Sequence, residues 1–123
     1  IEVLSGILMM FDESSIVNAT GSQGGSIIVN GGKVTMSNGC FIANSFASRA
    51  GGAIAMDGGS LTLAHGSYIT NSSAAAAFVP AVGGAIALLP GAALTITDNS
   101  SIINSTSNAY GGAIYTWGSN VTV

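Results

Sequence analysis

Short stretches in which apolar and polar residues alternate recur along the chain. The clearest of them place one threonine between two apolar residues: Val34-Thr35-Met36, Leu61-Thr62-Leu63, Leu94-Thr95-Ile96 and Val121-Thr122-Val123. Alternation with a period of two is typical of β-strands that bury one face. No pattern with the 3.6-residue period of an amphipathic helix reaches a useful length. The chain is therefore predicted to be all-β.

A Gly-Gly pair followed by a small residue and isoleucine marks a repeat. The four copies are Gly24-Gly25-Ser26-Ile27, Gly51-Gly52-Ala53-Ile54, Gly83-Gly84-Ala85-Ile86 and Gly111-Gly112-Ala113-Ile114, at spacings of 27, 32 and 28 residues. Self-similarity at such a period indicates a solenoid. The glycines are expected at a tight corner, where they permit a positive φ.

An asparagine closes a second motif in each repeat. The four residues are Asn18, Asn44, Asn71 and Asn104. We expect them to stack as an Asn ladder at one turn, where their amides hydrogen-bond one another and the turn backbone.

Three alternating stretches, separated by turn residues, fit within each repeat. Three short strands in a unit of this length are typical of a parallel β-helix, in which equivalent residues stack about 4.8 Å apart. Parallel crossovers are almost always right-handed. We therefore predict a right-handed parallel β-helix of about four coils. The coils span residues 1–23, 24–50, 51–82, 83–110 and, in part, 111–123.

The register of these motifs predicts five apolar columns in a narrow core. They contain Ile1, Ile27, Ile54, Ile86 and Ile114; Val3, Val29, Met56, Leu88 and Thr116; Leu8, Val34, Leu61, Leu94 and Val121; Met10, Met36, Leu63, Ile96 and Val123; and Ile16, Ile42, Ile69 and Ile102. We interpret residues 1–123 as one β-helix segment of a longer chain, because it begins without methionine and stops within a repeat. Further coils or subunits are expected to stack on its open ends.

The composition excludes several classes of partner. Only 6% of the residues are charged, the net charge is −3, and the basic residues are Lys33 and Arg49 alone. Nucleic acids and anionic membrane surfaces require clustered Lys and Arg, so neither is expected as a partner. No apolar run approaches the roughly 18 residues of a transmembrane segment. The single cysteine, Cys40, provides no disulfide framework.

The paired motifs Gly-Gly-Ala-Ile and Phe-x-x-Asn resemble the repeat of the polymorphic outer-membrane proteins of chlamydiae, which also occurs in surface proteins of algae and protists. The copies at Gly51, Gly83 and Gly111 match the first motif fully, the copy at Gly24 has serine for alanine, and Phe41-Ile42-Ala43-Asn44 matches the second. The resemblance covers nearly the whole chain. It implies an extracellular β-helical passenger or stalk, often with an adhesive role.

No catalytic constellation accompanies the repeat. Asp12, Asn38, His65 and Asp98 fall in one column directly after a strand. The two acids lie three coils apart, roughly 14 Å, which is too far for the carboxylate pair of a glycosidase. His65 has no second ligand at metal-binding spacing. We therefore expect no enzyme activity, no metal and no cofactor.

The outward threonines offer an alternative function. Thr35, Thr62, Thr95 and Thr122 form a column on one face, and stacked threonines on a flat β-helical face can order water and bind ice. The columns beside them are mixed, and Met9 replaces threonine in the first coil. Solvated strand faces also favour threonine on general grounds.

Two apolar features are expected to face outward and to contact a partner. Ile7, Met9 and Phe11 alternate with inward residues in the first coil. The third coil carries an insertion with Phe78, Val79 and Pro80, because Asn71 lies 12 residues before Gly83, against 7 from Asn44 to Gly51 and from Asn104 to Gly111. An apolar bulge is costly unless it packs against its own coil or another molecule.

Asn-x-Ser/Thr sequons occur at Asn18, Asn71, Asn99, Asn104 and Asn120. Three of them are ladder positions with amides expected to be inaccessible, so Asn120 and then Asn99 are the predicted glycosylation sites. The predicted function is structural or adhesive: a rigid stalk or passenger at the cell surface that contacts a protein or surface glycan, or a subunit of a surface appendage. Ice binding and polysaccharide cleavage are the alternatives.

Overall fold

The computed structural model describes all residues, 1–123, and consists of short β-strands joined by turns. The strands are β1 (Glu2–Val3), β2 (Ile7–Met10), β3 (Ser15–Val17), β4 (Thr20–Gln23), β5 (Ile27–Val29), β6 (Lys33–Met36), β7 (Phe41–Ala43), β8 (Phe46–Ala50), β9 (Ile54–Met56), β10 (Gly59–Leu63), β11 (Tyr68–Thr70), β12 (Ser73–Ala74), β13 (Ile86–Leu88), β14 (Ala92–Ile96), β15 (Ser101–Ile103), β16 (Thr106–Ser107), β17 (Ile114–Thr116) and β18 (Asn120–Thr122). No helix has the length and apolar character needed to cross a membrane.

The strands form four sheets in which every pairing is parallel. The first sheet has the order β1-β5-β9-β13-β17, the second β18-β14-β10-β6-β2, the third β15-β11-β7-β3 and the fourth β16-β12-β8-β4. Each strand pairs with its equivalents in the neighbouring repeats rather than with strands close in sequence. The architecture is therefore all-β, with parallel strands in stacked sheets, and is consistent with a parallel β-helix.

The register predicted from the repeat motifs is confirmed. In the first sheet Ile54 pairs with Ile27 on one side and with Ile86 on the other. In the second sheet Leu61 pairs with Val34 and with Leu94. Equivalent apolar side chains therefore form columns across the repeats, and each repeat covers the apolar surface of the next.

The core is narrow and almost entirely aliphatic. A cluster of 19 buried residues fills it, flanked by the half-buried Leu8, Ile16, Ile96, Ile102 and Ile114. All five predicted columns contribute to this cluster and its flanks, and their central members are fully buried. Because each repeat contributes only one layer, the core extends along the stack rather than around a centre.

The fourth sheet corrects the expectation of three strands per repeat. Its strands lack the alternating apolar pattern, and β4, for example, reads Thr-Gly-Ser-Gln. A side chain on Gly52 would collide with the backbone of Ser73, the first residue of β12. The fourth sheet thus lies directly against the Gly-Gly corner, and only small residues such as Ala47 and Ala74 are buried behind it.

The Gly-Gly corner requires both of its glycines. The first, as in Gly51, has a φ of 60°, a backbone conformation that most non-glycine residues rarely adopt. The second, as in Gly52, stacks so closely that a Cβ would collide with the carbonyl oxygen of Gly84. The first glycine therefore shapes the corner and the second allows neighbouring repeats to stack.

The asparagine column exists, but it is not the hydrogen-bonded ladder that the sequence predicts. Asn18, Asn44, Asn71 and Asn104 are exposed and have φ values of 50–60°. No hydrogen bond joins their side-chain amides; instead the Asn44 backbone N–H donates to the Thr70 carbonyl of the next repeat at 3.1 Å. Asparagine recurs here because it tolerates the left-handed region better than other non-glycine residues.

Serine hydroxyl groups and the cysteine thiol form the inward polar contacts that the asparagines do not. Ser67 Oγ donates to the Met36 carbonyl at 3.1 Å, and Cys40 Sγ donates to the Met10 carbonyl at 3.3 Å one repeat earlier. The Ser26 and Ser45 hydroxyls share a buried hydrogen bond of 2.7 Å. No buried side-chain nitrogen or oxygen is left without a partner.

Candidate functional site

A column of polar side chains follows the second sheet, at the position predicted from the sequence. Asn38 Nδ2 donates to Asp12 Oδ1 at 3.2 Å, and His65 Nε2 lies 3.7 Å from Asp98 Oδ2. A hydrogen bond of 3.0 Å between Ser37 Oγ and His65 Nδ1 connects the two pairs. All of these residues but Ser37 have a left-handed φ near 50°. They are exposed turn residues that link successive repeats at the surface.

This polar column does not bring the carboxylates together. Asp12 contacts Asn38, whereas Asp98 contacts His65 two repeats further along. No group of three or more His, Cys, Asp or Glu side chains lies close enough to hold a metal ion. What the column can provide chemically is a row of hydrogen-bonding groups on an exposed turn.

Cys40, outside any polar cluster, is enclosed by the core. Its side chain is fully buried, and burial raises the pKa of its thiol above the ordinary value, partly offset by backbone hydrogen bonds that lower it. A buried neutral thiol is a poor nucleophile. Cys40 therefore has the role of a small core residue at a position where the next repeat has Ser67.

The threonine column lies in register on the outer face of the second sheet. Thr62 pairs with Thr35 on one side and Thr95 on the other, and Thr95 pairs with Thr122. Met9 occupies the same position beside Thr35. The adjacent outward column is mixed and contains Ile7, Lys33, Ser60, Ala93 and Asn120. The face therefore presents one regular row of hydroxyls rather than a regular two-dimensional array.

The first apolar surface predicted to contact a partner is exposed. Ile7 is 70% exposed, Met9 59% and Phe11 48%. Ile7 and Met9 lie on β2, the last strand of the second sheet at that end, and they alternate with Leu8 and Met10, which pack on the core. This edge of the sheet is thus apolar on both faces.

The insertion after β12 presents the second apolar surface. Phe78 is 98% exposed and does not pack against its own repeat, and about half of Val79 is exposed. Both ends of the loop are held by Asn108 of the next repeat: its Nδ2 donates to the Ala76 carbonyl at 2.7 Å, and its Oδ1 accepts from the Ala81 N–H at 3.2 Å. We call residues 77–80, with Pro80 beside the two apolar residues, the apolar tip.

A depression on the outer face of the first sheet is a feature that the sequence patterns do not predict. Its floor is formed by the outward side chains of Ile28, Ala55 and Ala87, which pair in register. Its rim is formed by Gln23, Ala50, Asn30, Asp57 and Leu89, and the depression is shallow, because Ala55 and Ala87 in its floor are almost completely buried. We call it the outer groove. The sequence signal for it is the pair of small residues, Ala55 and Ala87, at equivalent outward positions of two neighbouring repeats.

Three aromatic residues of the last repeat continue the backbone columns of the outer groove, although none of them lines it. The floor column continues from Ala87 to Tyr115. One rim column continues through Val82 to Tyr110. The backbone N–H of Trp117 donates to the Leu88 carbonyl, just as the Leu89 N–H donates to the Met56 carbonyl one repeat earlier. Trp117 therefore follows Leu89 in the other rim column. Tyr110 and Trp117 are each 64% exposed, and Tyr115 is half-buried.

The asparagines of the sequons are all exposed, which corrects the expectation that the three at the turn are inaccessible. Exposure therefore does not distinguish the predicted glycosylation sites, Asn99 and Asn120, from Asn18, Asn71 and Asn104. Asn120 lies on β18 at the edge of the second sheet, whereas Asn99 lies at a turn with a φ of 60°.

No protein-family model, no curated protein and no solved structure matches the chain.

Proposed function

We propose that the chain is a right-handed parallel β-helix of about four coils that serves as an extracellular structural and adhesive segment, a rigid stalk or passenger at the cell surface. The parallel sheets support this proposal because every repeat pairs with the next along the whole chain. Such a stack gives a stiff body whose outward columns are held in a fixed register. It can present contact groups to another macromolecule at a set distance from the surface.

The observation that carries the adhesive role is the apolar tip. Phe78 is almost completely exposed, yet the loop that bears it is anchored at both ends by Asn108. Neighbouring exposed apolar residues mark an interaction surface, because covering them removes apolar area from water. Anchoring lowers the conformational entropy that a partner would otherwise have to offset. A tip of this kind is suited to contact with a protein surface.

Display of the chain on a non-adherent cell tests the proposal. The chain is fused to a membrane anchor that holds it on the cell. We expect these cells to attach to protein-coated surfaces, or to one another, several times more than cells that carry the membrane anchor alone. Phe78→Ser with Val79→Ser should remove most of the gain, because it replaces the apolar contact with hydroxyls.

The matched control changes a side chain elsewhere on the surface, with Ser60→Ala on the outer face of the second sheet. It should leave attachment unchanged. Attachment no greater than that of the anchor alone, with the chain shown to be folded on the surface, would refute the adhesive role. If the double variant of Phe78→Ser and Val79→Ser attaches as strongly as the parent, the apolar tip has no part in adhesion.

Ice binding is the second candidate, and the in-register threonine column favours it. A single ordered row of hydroxyls matches one direction of an ice surface. If this is the function, the soluble chain should show thermal hysteresis and reshape growing ice crystals. Thr62→Lys, in the middle of the row, should abolish both effects, whereas absence of either effect from the parent chain at high concentration would exclude this candidate.

A further inference from the structure

One asparagine of the turn column, Asn71, has the surroundings of an attachment site for a glycan. It begins the sequon Asn71-Ser72-Ser73 and lies at an exposed turn with a φ of 51°. Its side-chain amide makes no hydrogen bond within the chain. Replacement of one amide hydrogen by a sugar therefore breaks no contact of the folded molecule, and the bulk of the sugar projects into solvent.

Aromatic side chains lie on both sides of this turn. Tyr68, three residues before Asn71, stacks on Phe41 of the preceding repeat, with ring centroids 5.1 Å apart and an angle of 6° between the planes. After the turn, Phe46 pairs in register with Ser73, the hydroxyl residue of the sequon, and is 38% exposed. The turn thus lies between two partly exposed aromatic surfaces.

The equivalent turns of the other repeats lack this combination. Asn44 is also exposed, but Phe46 occupies the position where a sequon needs a hydroxyl group. The turns at Asn18 and Asn104 have the hydroxyl residue, but serine replaces the aromatic residue three positions earlier. Asn71 is therefore the position in the column where a sequon and flanking aromatic residues coincide.

We propose that Asn71 carries an N-linked glycan and that the first sugar packs on Phe46. The inference rests on the extracellular setting proposed above, because sequons receive glycans during secretion. The sugar donor is an oligosaccharide joined to a lipid through a diphosphate. Asn71 Nδ2 forms the bond to C1 of the first sugar as the bond from C1 to the phosphate oxygen breaks. The lipid diphosphate leaves with that electron pair, and the amide proton passes to a base of the transferase.

The contact with Phe46 has a physical reason. The face of an aromatic ring is electron-rich and attracts the C–H groups on one face of a sugar ring. Covering Phe46 also removes apolar area from water. A sugar in this position should therefore stabilise the fold, whereas a sugar that only projects into solvent should not.

Site mapping of the full chain, secreted from a eukaryotic cell, tests the attachment. A glycan-releasing amidase, used in heavy-oxygen water, labels each occupied asparagine, and we expect label at Asn71. Ser73→Ala removes the sequon without touching Asn71 and should abolish this label. Ser73→Thr is the matched control, because it keeps the hydroxyl group, and should retain the label. A secreted chain with Asn71 unlabelled would overturn the proposal.

The packing on Phe46 needs a chain with one glycan, trimmed to its first sugar. Alanine at the hydroxyl position of the other sequons leaves Asn71 as the single acceptor; these positions are Thr20, Ser101, Thr106 and Thr122. The unfolding constant in urea should be about two- to tenfold smaller with the sugar than for the same chain made unmodified in bacteria, the equivalent of one aromatic contact. In Phe46→Ala the difference should disappear. No difference in the parent, or an equal difference in Phe46→Ala, would refute the packing.

Failure of this proposal and failure of the adhesive tip have different signatures. An unoccupied Asn71 together with Phe78-dependent attachment overturns the glycan alone. An occupied Asn71 without Phe78-dependent attachment overturns the adhesive tip alone.

Discussion

Asparagine and glycine at the turns have different physical tasks in this molecule. Asn71 has a φ of 51° and an exposed side chain that makes no hydrogen bond to the neighbouring asparagines. Gly52 has an ordinary φ but no space for a side chain. The first position requires a backbone conformation, and the second requires the absence of a Cβ. Substitutions separate these two requirements.

At the asparagine turn, we expect Asn71→Gly to leave stability within about 0.5 kcal/mol of the parent, because glycine adopts a positive φ freely. Asn71→Ala should cost about 1 to 2 kcal/mol, because alanine is strained in the left-handed region. Urea unfolding followed by circular dichroism measures both. A ladder of bonded amides would instead make glycine at least as damaging as alanine, and that result would contradict the backbone explanation.

At the Gly-Gly corner, Gly52→Ala should cost about 3 kcal/mol or more, because its Cβ would collide with the Gly84 carbonyl of the next repeat. Gly112 provides a matched control. It has the same place in the motif, but a Cβ there would meet nothing closer than the Ser105 carbonyl oxygen, at 3.9 Å. Gly112→Ala should therefore be close to neutral in urea unfolding. Equal losses at the two sites would show that stacking is not the reason for the second glycine.

At the level of elements, the sequence predicted the first three sheets and missed the fourth. The alternating residues of β6, β10 and β14 identify both the strand and its register, because inward positions must be apolar in every repeat. β12 and β16 contain two residues each, with no apolar alternation. They are strands because their backbone lies against the Gly-Gly corner, a tertiary constraint that local patterns do not record.

The candidate surfaces show a similar division. The sequence identified Phe78 through the length of the insertion, since 12 residues replace 7. It did not identify Asn108 as the residue that anchors the loop, because that contact joins residues 32 and 27 positions apart in different repeats. The outer groove was missed because its lining residues Gln23, Ile28 and Ala55 come together only through the register of strands in different repeats.

The anchoring of the insertion can be tested at one residue. Asn108→Ala removes the two hydrogen bonds to Ala76 and Ala81, and we expect proteolysis at residues 77–80 to become about tenfold faster. This corresponds to about 1.4 kcal/mol of lost anchoring, a reasonable value for two partly exposed hydrogen bonds. The urea midpoint of the whole chain should shift little, because the loop contributes few buried residues.

Asn120→Ala is the control for the anchoring test, since Asn120 is exposed and makes no side-chain hydrogen bond to the loop. It should leave the cleavage rate unchanged. An insertion that is cleaved equally fast in the parent and in Asn108→Ala would show that Asn108 does not hold the loop. The apolar tip would then lose the rigidity on which its adhesive role depends.

At the scale of the whole molecule, burial depends on the place of a repeat in the stack. Ile27, Ile54 and Ile86 are completely buried, whereas Ile114 in the same column is only half-buried. The difference arises because Ile54 is covered by a repeat on each side and Ile114 on one side only. A stack of this kind distributes stability over the contacts between neighbours.

The same substitution at two heights of one column measures this distribution. Ile54→Ala should cost about 3 to 4 kcal/mol, as expected for a large buried side chain replaced by alanine with a cavity left behind. Ile114→Ala removes the same atoms from a half-covered site and should cost about half as much. Urea unfolding followed by circular dichroism, compared at equal m-values, gives both quantities. Equal costs would contradict the explanation from coverage, because the position of a residue along the column would then have no effect on stability.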